Sequence, residues 1–91
     1  MAEKRSRLRI IYDILNMIRN HNNSIKPTPL LRYSNLSSQS FSGYLGELME
    51  KGFIVESRDK RNRKFLTLTE KGFNYLQKYK IMTKFVEEFS L

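Results

Sequence analysis

The sequence predicts a mainly α fold of the α+β class, with helices first, a two-stranded hairpin next and a longer helix at the end. Three observations carry this prediction. Between residues 6 and 51, apolar side chains recur at helical spacing in three blocks separated by turn formers. Two short apolar runs, Phe53–Ser57 and Lys64–Leu68, bracket the basic loop Arg58-Asp59-Lys60-Arg61-Asn62-Arg63-Lys64 and read as paired strands. Helical spacing then returns behind Thr69, which suits a helix cap. Helix, helix, helix, strand, basic loop, strand, helix is the order of a winged helix-turn-helix, with a two-stranded β wing and a long C-terminal dimerisation helix.

The first helix is expected from about Ser6 to Arg19, where Leu8, Ile11, Leu15 and Ile18 form a stripe widened by Ile10, Ile14 and Met17. Asn20-His21-Asn22-Asn23 ends it with residues that tolerate left-handed backbone. Ile25-Lys26 suits a short strand. Pro27 and Pro29 precede or open a brief helix running from about Thr28 to Tyr33 or Ser34, with Pro29 in its first turn. After the turn Asn35-Leu36-Ser37, Ser37 caps a third helix from Ser38 to Lys51, which Gly52 stops. Phe41, Leu45 and Leu48 share its inward face. A short helix, a turn and a second amphipathic helix make a helix-turn-helix.

The last helix is expected from Glu70 to about Phe89, with Phe73 and Leu76 packing inward. A second series, Tyr75, Tyr79, Met82, Val86 and Phe89, keeps a 4-3-4-3 spacing. That is a two-heptad seam. Residues 1–72 thus form the helix-turn-helix body, and residues 70–91 form a dimerisation helix within the same single domain. The other use of the seam would be as part of the monomer core.

Composition narrows the partners. Seventeen Lys and Arg against nine Asp and Glu give a net charge of +8 over 91 residues. A chain this short buries only about 60–65% of its unfolded surface, so apolar burial between two copies would add useful stability. No cysteine is present, which excludes disulfides, thiolate nucleophiles and cysteine-ligated zinc. His21, the single histidine, has no clustered carboxylates around it in sequence, so no metal is expected. No Walker loop, GxGxxG cradle or paired-acid motif suggests a cofactor or catalysis, and the expectation is that the protein is not an enzyme. No apolar run approaches the length of a membrane span, and Arg9, Asp13 and Asn16 interrupt any signal-like segment. A cytoplasmic, nucleoid-associated protein is expected.

The candidate sites follow from the pattern. On the third helix, Ser38, Gln39, Ser40, Ser42, Gly43 and Tyr44 form the candidate reading surface, with Gly46 and Glu47 also turned outward. Gln39 suits a bidentate contact with adenine, and Ser40 suits a phosphate or base edge. Gly43 and Gly46 each cost about 1 kcal/mol in a helix relative to alanine. They would let either a DNA backbone or a neighbouring helix approach. The face carries no Lys or Arg before Lys51, which disfavours strong guanine readout.

In the loop, Arg58, Lys60, Arg61, Arg63 and Lys64 suit phosphate contacts. Charge kept for solubility at an exposed edge is the plainer reading, but five of 17 basic residues fall within seven positions. Five neutralised phosphates would give a log K against log salt slope of about −4.5 per protomer. Lys4, Arg5 and Arg7, with Arg32 and Tyr33 on the second helix, are candidates for the DNA backbone. The N-terminal basics suit an arm along DNA and a charged tail equally. Phe65 and Tyr75 read as packing residues and not as stacking platforms for bases.

At these residues the chain resembles the small archaeal winged-helix DNA-binding proteins of the ten-kilodalton, chromatin-associated type. Lys4-Arg5-Ser6-x-Leu8-x-Ile10-Ile11 is similar to that family's first-helix signature. Asn35-Leu36-Ser37, Tyr44-Leu45-x-x-Leu48 and Gly52-x-Ile54 look like its reading-helix segment, and Leu68-Thr69-Glu70-Lys71-Gly72 like its wing-to-helix junction. The resemblance runs to about Tyr79. It implies a homodimer joined through the last helix, often as an antiparallel coiled coil, and binding to double-stranded DNA. Either a transcriptional regulator or a chromatin-associated protein fits that resemblance. The alternative is a winged-helix protein–protein interaction module of a transcription assembly. The chain departs from the pattern in its short C-terminal seam.

Overall fold

A computed structural model describes residues 5–91. Helix α1 spans Arg7–Asn20, with the Ser6 hydroxyl accepting the Arg9 amide at 3.1 Å. Its end is a run of asparagines, of which Asn22 and Asn23 take left-handed backbone at φ 58° and 57°. These residues tolerate that region because their short polar side chains bond locally. The Asn23 side-chain oxygen accepts the Leu68 amide at 2.8 Å, tying this turn to the end of the hairpin.

Helix α2 spans Pro27–Ser34 and so begins one residue before the expected Thr28. Pro27 takes the first position, where its fixed φ and missing N–H cost nothing. Asn35 ends the helix in left-handed backbone at φ 59°. Helix α3 spans Ser38–Glu50, with the Ser37 hydroxyl accepting the Ser40 amide at 3.1 Å. Gly52 follows at φ 80°, a conformation that favours glycine.

Strands β1 (Ile54–Arg58) and β2 (Lys64–Leu68) pair antiparallel, from Ile54 opposite Leu68 to Arg58 opposite Lys64. The expected strand at Ile25 is a single bridge to Leu66, with two backbone hydrogen bonds of 3.2 and 2.8 Å. Helix α4 spans Glu70–Glu88 behind its Thr69 cap.

Helix α1 is the spine of the core. Ile11, Ile14, Leu15 and Ile18 are buried against Ile25, Leu30, Phe41, Leu48, Ile54, Leu66, Leu68 and Leu76. Each fully buried Leu or Ile contributes about 1.5–3 kcal/mol relative to exposure. Two expectations need correction. Leu8 is 49% exposed, because the body packs on the Ile11–Ile14–Leu15–Ile18 surface beyond it. Phe73 is 40% exposed. Gly72 and Leu76, four residues apart, take the inward line of α4, and Phe73 stands about a quarter turn off it.

A Cβ on Gly72 would lie 2.6 Å from the Phe53 carbonyl oxygen and 3.2 Å from the Leu68 side chain. Only glycine lets the first turn of α4 press this closely on the hairpin. Beyond Thr83 every residue of α4 is exposed, and the molecule measures 50 × 31 × 22 Å. Among the described residues, no helix is long and apolar enough to cross a membrane.

Candidate nucleic-acid interface

Helix α3 presents Ser38, Gln39, Ser40, Ser42, Gly43 and Gly46 to solvent, with Tyr44 and Glu47 half-buried at the margin. Nothing lies within 4 Å of a Cβ built on Gly43 or Gly46. No neighbouring helix of the protomer therefore requires either glycine, and both leave a shallow, side-chain-free strip on the exposed face.

The acidic margin of this face is compensated from within the protomer. The Arg7 guanidinium binds the Glu47 carboxylate, and the Lys51 ammonium reaches the same carboxylate at 2.7 Å. Hydrogen bonds from Arg7 first, then from Lys51, hold the Glu47 carboxyl down at about 2. Arg7 also lies 5.8 Å from the centre of the Tyr44 ring. Arg5 is engaged too, donating to Asp13 at 2.9 Å and to the Ser34 carbonyl at 2.6 Å. It ties the start of α1 to the end of α2. Arg32 and Tyr33 are exposed on α2, where the Tyr33 ring lies 5.6 Å from that of His21. Lys4 lies outside the described residues.

The loop between the strands is built around Asp59. One carboxylate oxygen accepts the Arg61 and Arg63 amides, each at 2.9 Å, and the other accepts the Arg63 Nε at 2.6 Å. Backbone donation by Arg63 is the main cause that holds the Asp59 carboxyl below its usual range. Asn62 supplies the left-handed position at φ 62°, and its amide donates to the Asp59 carbonyl at 3.0 Å. Arg58 donates to the Asn62 side chain at 3.3 Å, and Glu56 lies 3.5 Å from Arg58 and 3.6 Å from Lys64.

Three of the five loop cations, Arg58, Arg63 and Lys64, are thus bound into the hairpin. Lys60 and Arg61, at its tip, have no acidic partner among the described residues. The sequence pattern around the basic loop does not by itself single out Asp59. Its spacing from Asn62 was the available signal, because an aspartate that bonds its own turn and an asparagine that tolerates left-handed backbone make a hairpin tip.

The seam on α4 divides. Tyr79 stacks on Tyr12 with ring centroids 4.4 Å apart, and the Tyr75 hydroxyl donates to the Leu8 carbonyl at 2.7 Å. Tyr75 also meets Phe53 edge-on at 5.7 Å, and burial pushes its phenol up to about 12. These two positions therefore anchor α4 to the body of its own protomer. Met82, Val86 and Phe89 are exposed, with Ile81 and Phe85 beside them. An open apolar groove of about 310 Å³ lies between α4, Leu8 and Phe53 and runs to Met82. Leu8 and Phe53 were not singled out from sequence for this role, since their meeting depends on the packing of α1 and β1.

A family model described as winged helix-turn-helix matches residues 4–87. No curated protein matches the chain. Among solved structures the chain is similar to Sso10a-2, a DNA-binding protein from Sulfolobus solfataricus. That likeness has a TM-score of 0.75 and 23% identity, over 94% of this chain and 86% of the other. F93 from STIV, a winged-helix DNA-binding protein, gives a TM-score of 0.74 and 20% identity, over 89% of this chain and 92% of F93. MepR, a transcription regulator of the Staphylococcus aureus multidrug efflux pump MepA, gives 0.77 and 17% identity. That match covers 88% of this chain and only 60% of MepR. At these identities the likeness is one of fold.

Proposed function

The chain belongs to the winged helix-turn-helix family, and on that premise we propose that it binds double-stranded DNA as a homodimer. In this reading α3 enters the major groove and the hairpin lies against the flanking backbone. The observation that carries it is the hairpin tip, where Lys60 and Arg61 project with no acidic partner among the described residues. The surrounding cations are committed to shaping the turn, which leaves these two available for phosphates. The net charge of +8 favours the same partner.

Gln39 and Ser40 are the residues proposed to meet base edges, and the bare strip at Gly43 and Gly46 admits the sugar-phosphate backbone. Arg5 and Arg7, held in intramolecular pairs, contribute mainly by fixing α1 against α2 and α3. A regulatory or chromatin-associated role in the cytoplasm fits this reading, with specificity limited by the scarcity of charge on the reading face.

Duplex binding measured by fluorescence anisotropy over a range of salt concentrations tests the proposal. Changing Lys60 and Arg61 together to Ala removes about two phosphate contacts per protomer. The log K against log salt slope should then become shallower by about 1.8 per protomer. Unchanged affinity and slope would remove the wing from the interface.

A further inference from the structure

Two open cavities meet where Leu8 and the start of α4 face Phe53. The groove of about 310 Å³ has Leu8, Phe53, Tyr75, Tyr79 and Met82 as its apolar lining. A second cavity, of about 230 Å³, shares Leu8, Phe53, Lys71 and Tyr75 with it and extends to Arg7, Glu47 and Lys51 behind the reading helix. The shared lining makes them one trough, and its two ends differ in chemistry.

At the α3 end, Arg7, Lys51 and Lys71 stand against the single carboxylate of Glu47. Arg7 and Lys51 already meet that carboxylate, so this end keeps a positive excess. The Lys71 ammonium lies 4.6 Å from the centre of the Phe53 ring and donates to the Lys51 carbonyl at 2.7 Å. An ammonium has three donors, which leaves two for an anion. Toward Met82 the floor is apolar and is flanked by Asn74 and Lys78. From Tyr75 to Met82 the helix advances about 10 Å, the length of a medium alkyl chain.

A trough charged at one end and apolar at the other complements a linear molecule of the same polarity, a carboxylate head on an alkyl chain. A neutral apolar ligand would leave the ammonium of Lys71 unused, and a multiply charged one would set charge on the apolar floor. We propose that this trough binds a medium-chain monocarboxylate, its head on Lys71 and its chain laid along Leu8, Phe53, Tyr75 and Tyr79 toward Met82. Lys71 also holds the carbonyl of Lys51, the cap at the end of α3, so occupation of the trough is felt at the end of the reading helix. The ligand thereby acts as an effector of DNA contact. That second step rests on the duplex-binding reading, whereas the site itself does not.

Octanoate is the probe, titrated into the full chain without DNA and followed by amide NMR shifts. Binding should saturate with a Kd on the order of 1 mM, with the largest shifts at Leu8, Phe53, Lys71 and Tyr75. Butanoate, too short to reach Met82, should bind about tenfold more weakly, since each methylene laid on the floor adds affinity. Octylammonium, with the same chain and the opposite charge, should also bind far more weakly. Lys71→Gln should weaken octanoate about fivefold. Leu8→Glu, at an exposed position, should weaken it about tenfold while keeping wild-type helicity. Octanoate that does not saturate, or octylammonium that binds as tightly, overturns the site. Unchanged binding by Lys71→Gln overturns the placing of the head, and unchanged binding by Leu8→Glu overturns the placing of the chain. Affinity that rises as the protein is diluted would mean that a second copy fills the trough, and would overturn it as a ligand site. Saturating octanoate should then change duplex affinity at least about threefold. An unchanged duplex affinity with octanoate bound overturns the effector step and leaves the site, whereas a chain that binds octanoate but no duplex overturns the duplex-binding reading alone.

Discussion

The carbonyl oxygen of Phe53 occupies the space that a Cβ on Gly72 would need, at a separation of 2.6 Å. The same oxygen accepts the Thr69 amide at 3.1 Å, and the Thr69 hydroxyl donates to the Gly52 carbonyl at 2.5 Å. The junction between hairpin and α4 is therefore a knot of backbone contacts. Gly72→Ala should force the helix start away from β1 and cost about 1–3 kcal/mol, as other overpacked sites do. Thermal unfolding followed by circular dichroism would show the loss as a lowered midpoint. Binding to DNA per folded molecule should be retained.

Gly43 and Gly46 predict the opposite pairing of effects. Both are helical and a Cβ at either meets open space. Gly43→Ala and Gly46→Ala should each stabilise the protein by up to about 1 kcal/mol, since alanine is the better helix former. Each should also weaken duplex binding if the bare strip receives a DNA backbone. Urea unfolding and anisotropy on the same samples would separate the two effects, and tighter binding by either variant would dismiss the strip.

Glu47 predicts an acid-sensitive contact. Its folded carboxyl is held at about 2 by Arg7 and Lys51, against an ordinary 4.5. A depressed folded value means that the contribution is complete above about pH 4.5 and declines as pH falls toward 2. Glu47→Gln should therefore lose stability relative to wild type near neutrality, and the gap should narrow between pH 4.5 and 2. Arg7→Ala should raise the Glu47 value back toward its ordinary range in an NMR titration. An unmoved titration would mean that Arg7 does not hold the carboxylate in solution.

Asp59 predicts a change in hairpin shape. Asp59→Ala removes the two carboxylate oxygens that accept three hydrogen bonds in the turn that sets Lys60 and Arg61 at the tip. The amides of Arg61 and Arg63 should exchange faster with solvent, while core amides such as Leu66 stay protected. Affinity for duplex should fall although the variant is one unit more positive, which a purely electrostatic account would not give.

Local chemistry made most of the fold readable in sequence. Ser6, Ser37 and Thr69 cap helices because a hydroxyl beside the first turn satisfies an orphan amide, and that signal lies within four residues. The hairpin strands were readable for the same reason. What escaped depends on contacts distant in sequence. Leu8 has the spacing of a core residue, yet the body closes beyond it. Arg7 and Glu47, 40 residues apart, meet only once α1 and α3 have packed. Tyr75 and Tyr79 fit a heptad equally well before and after the fold gives them intramolecular partners. The wing cations looked alike in sequence, and only the course of the turn separates Lys60 and Arg61 from those that brace it.

The stack of Tyr12 on Tyr79, with the bond from Tyr75 to Leu8, fixes how α4 leaves the head. Two heads joined through such helices would act as a caliper of set opening. Duplexes carrying two contact sites should then show a helical phase. Adding about five base pairs between the sites turns the second by half a turn and should reduce binding to that of one head. Adding about ten restores it. Loosening the caliper with Tyr12→Ala should flatten that periodicity before it lowers affinity for a single site.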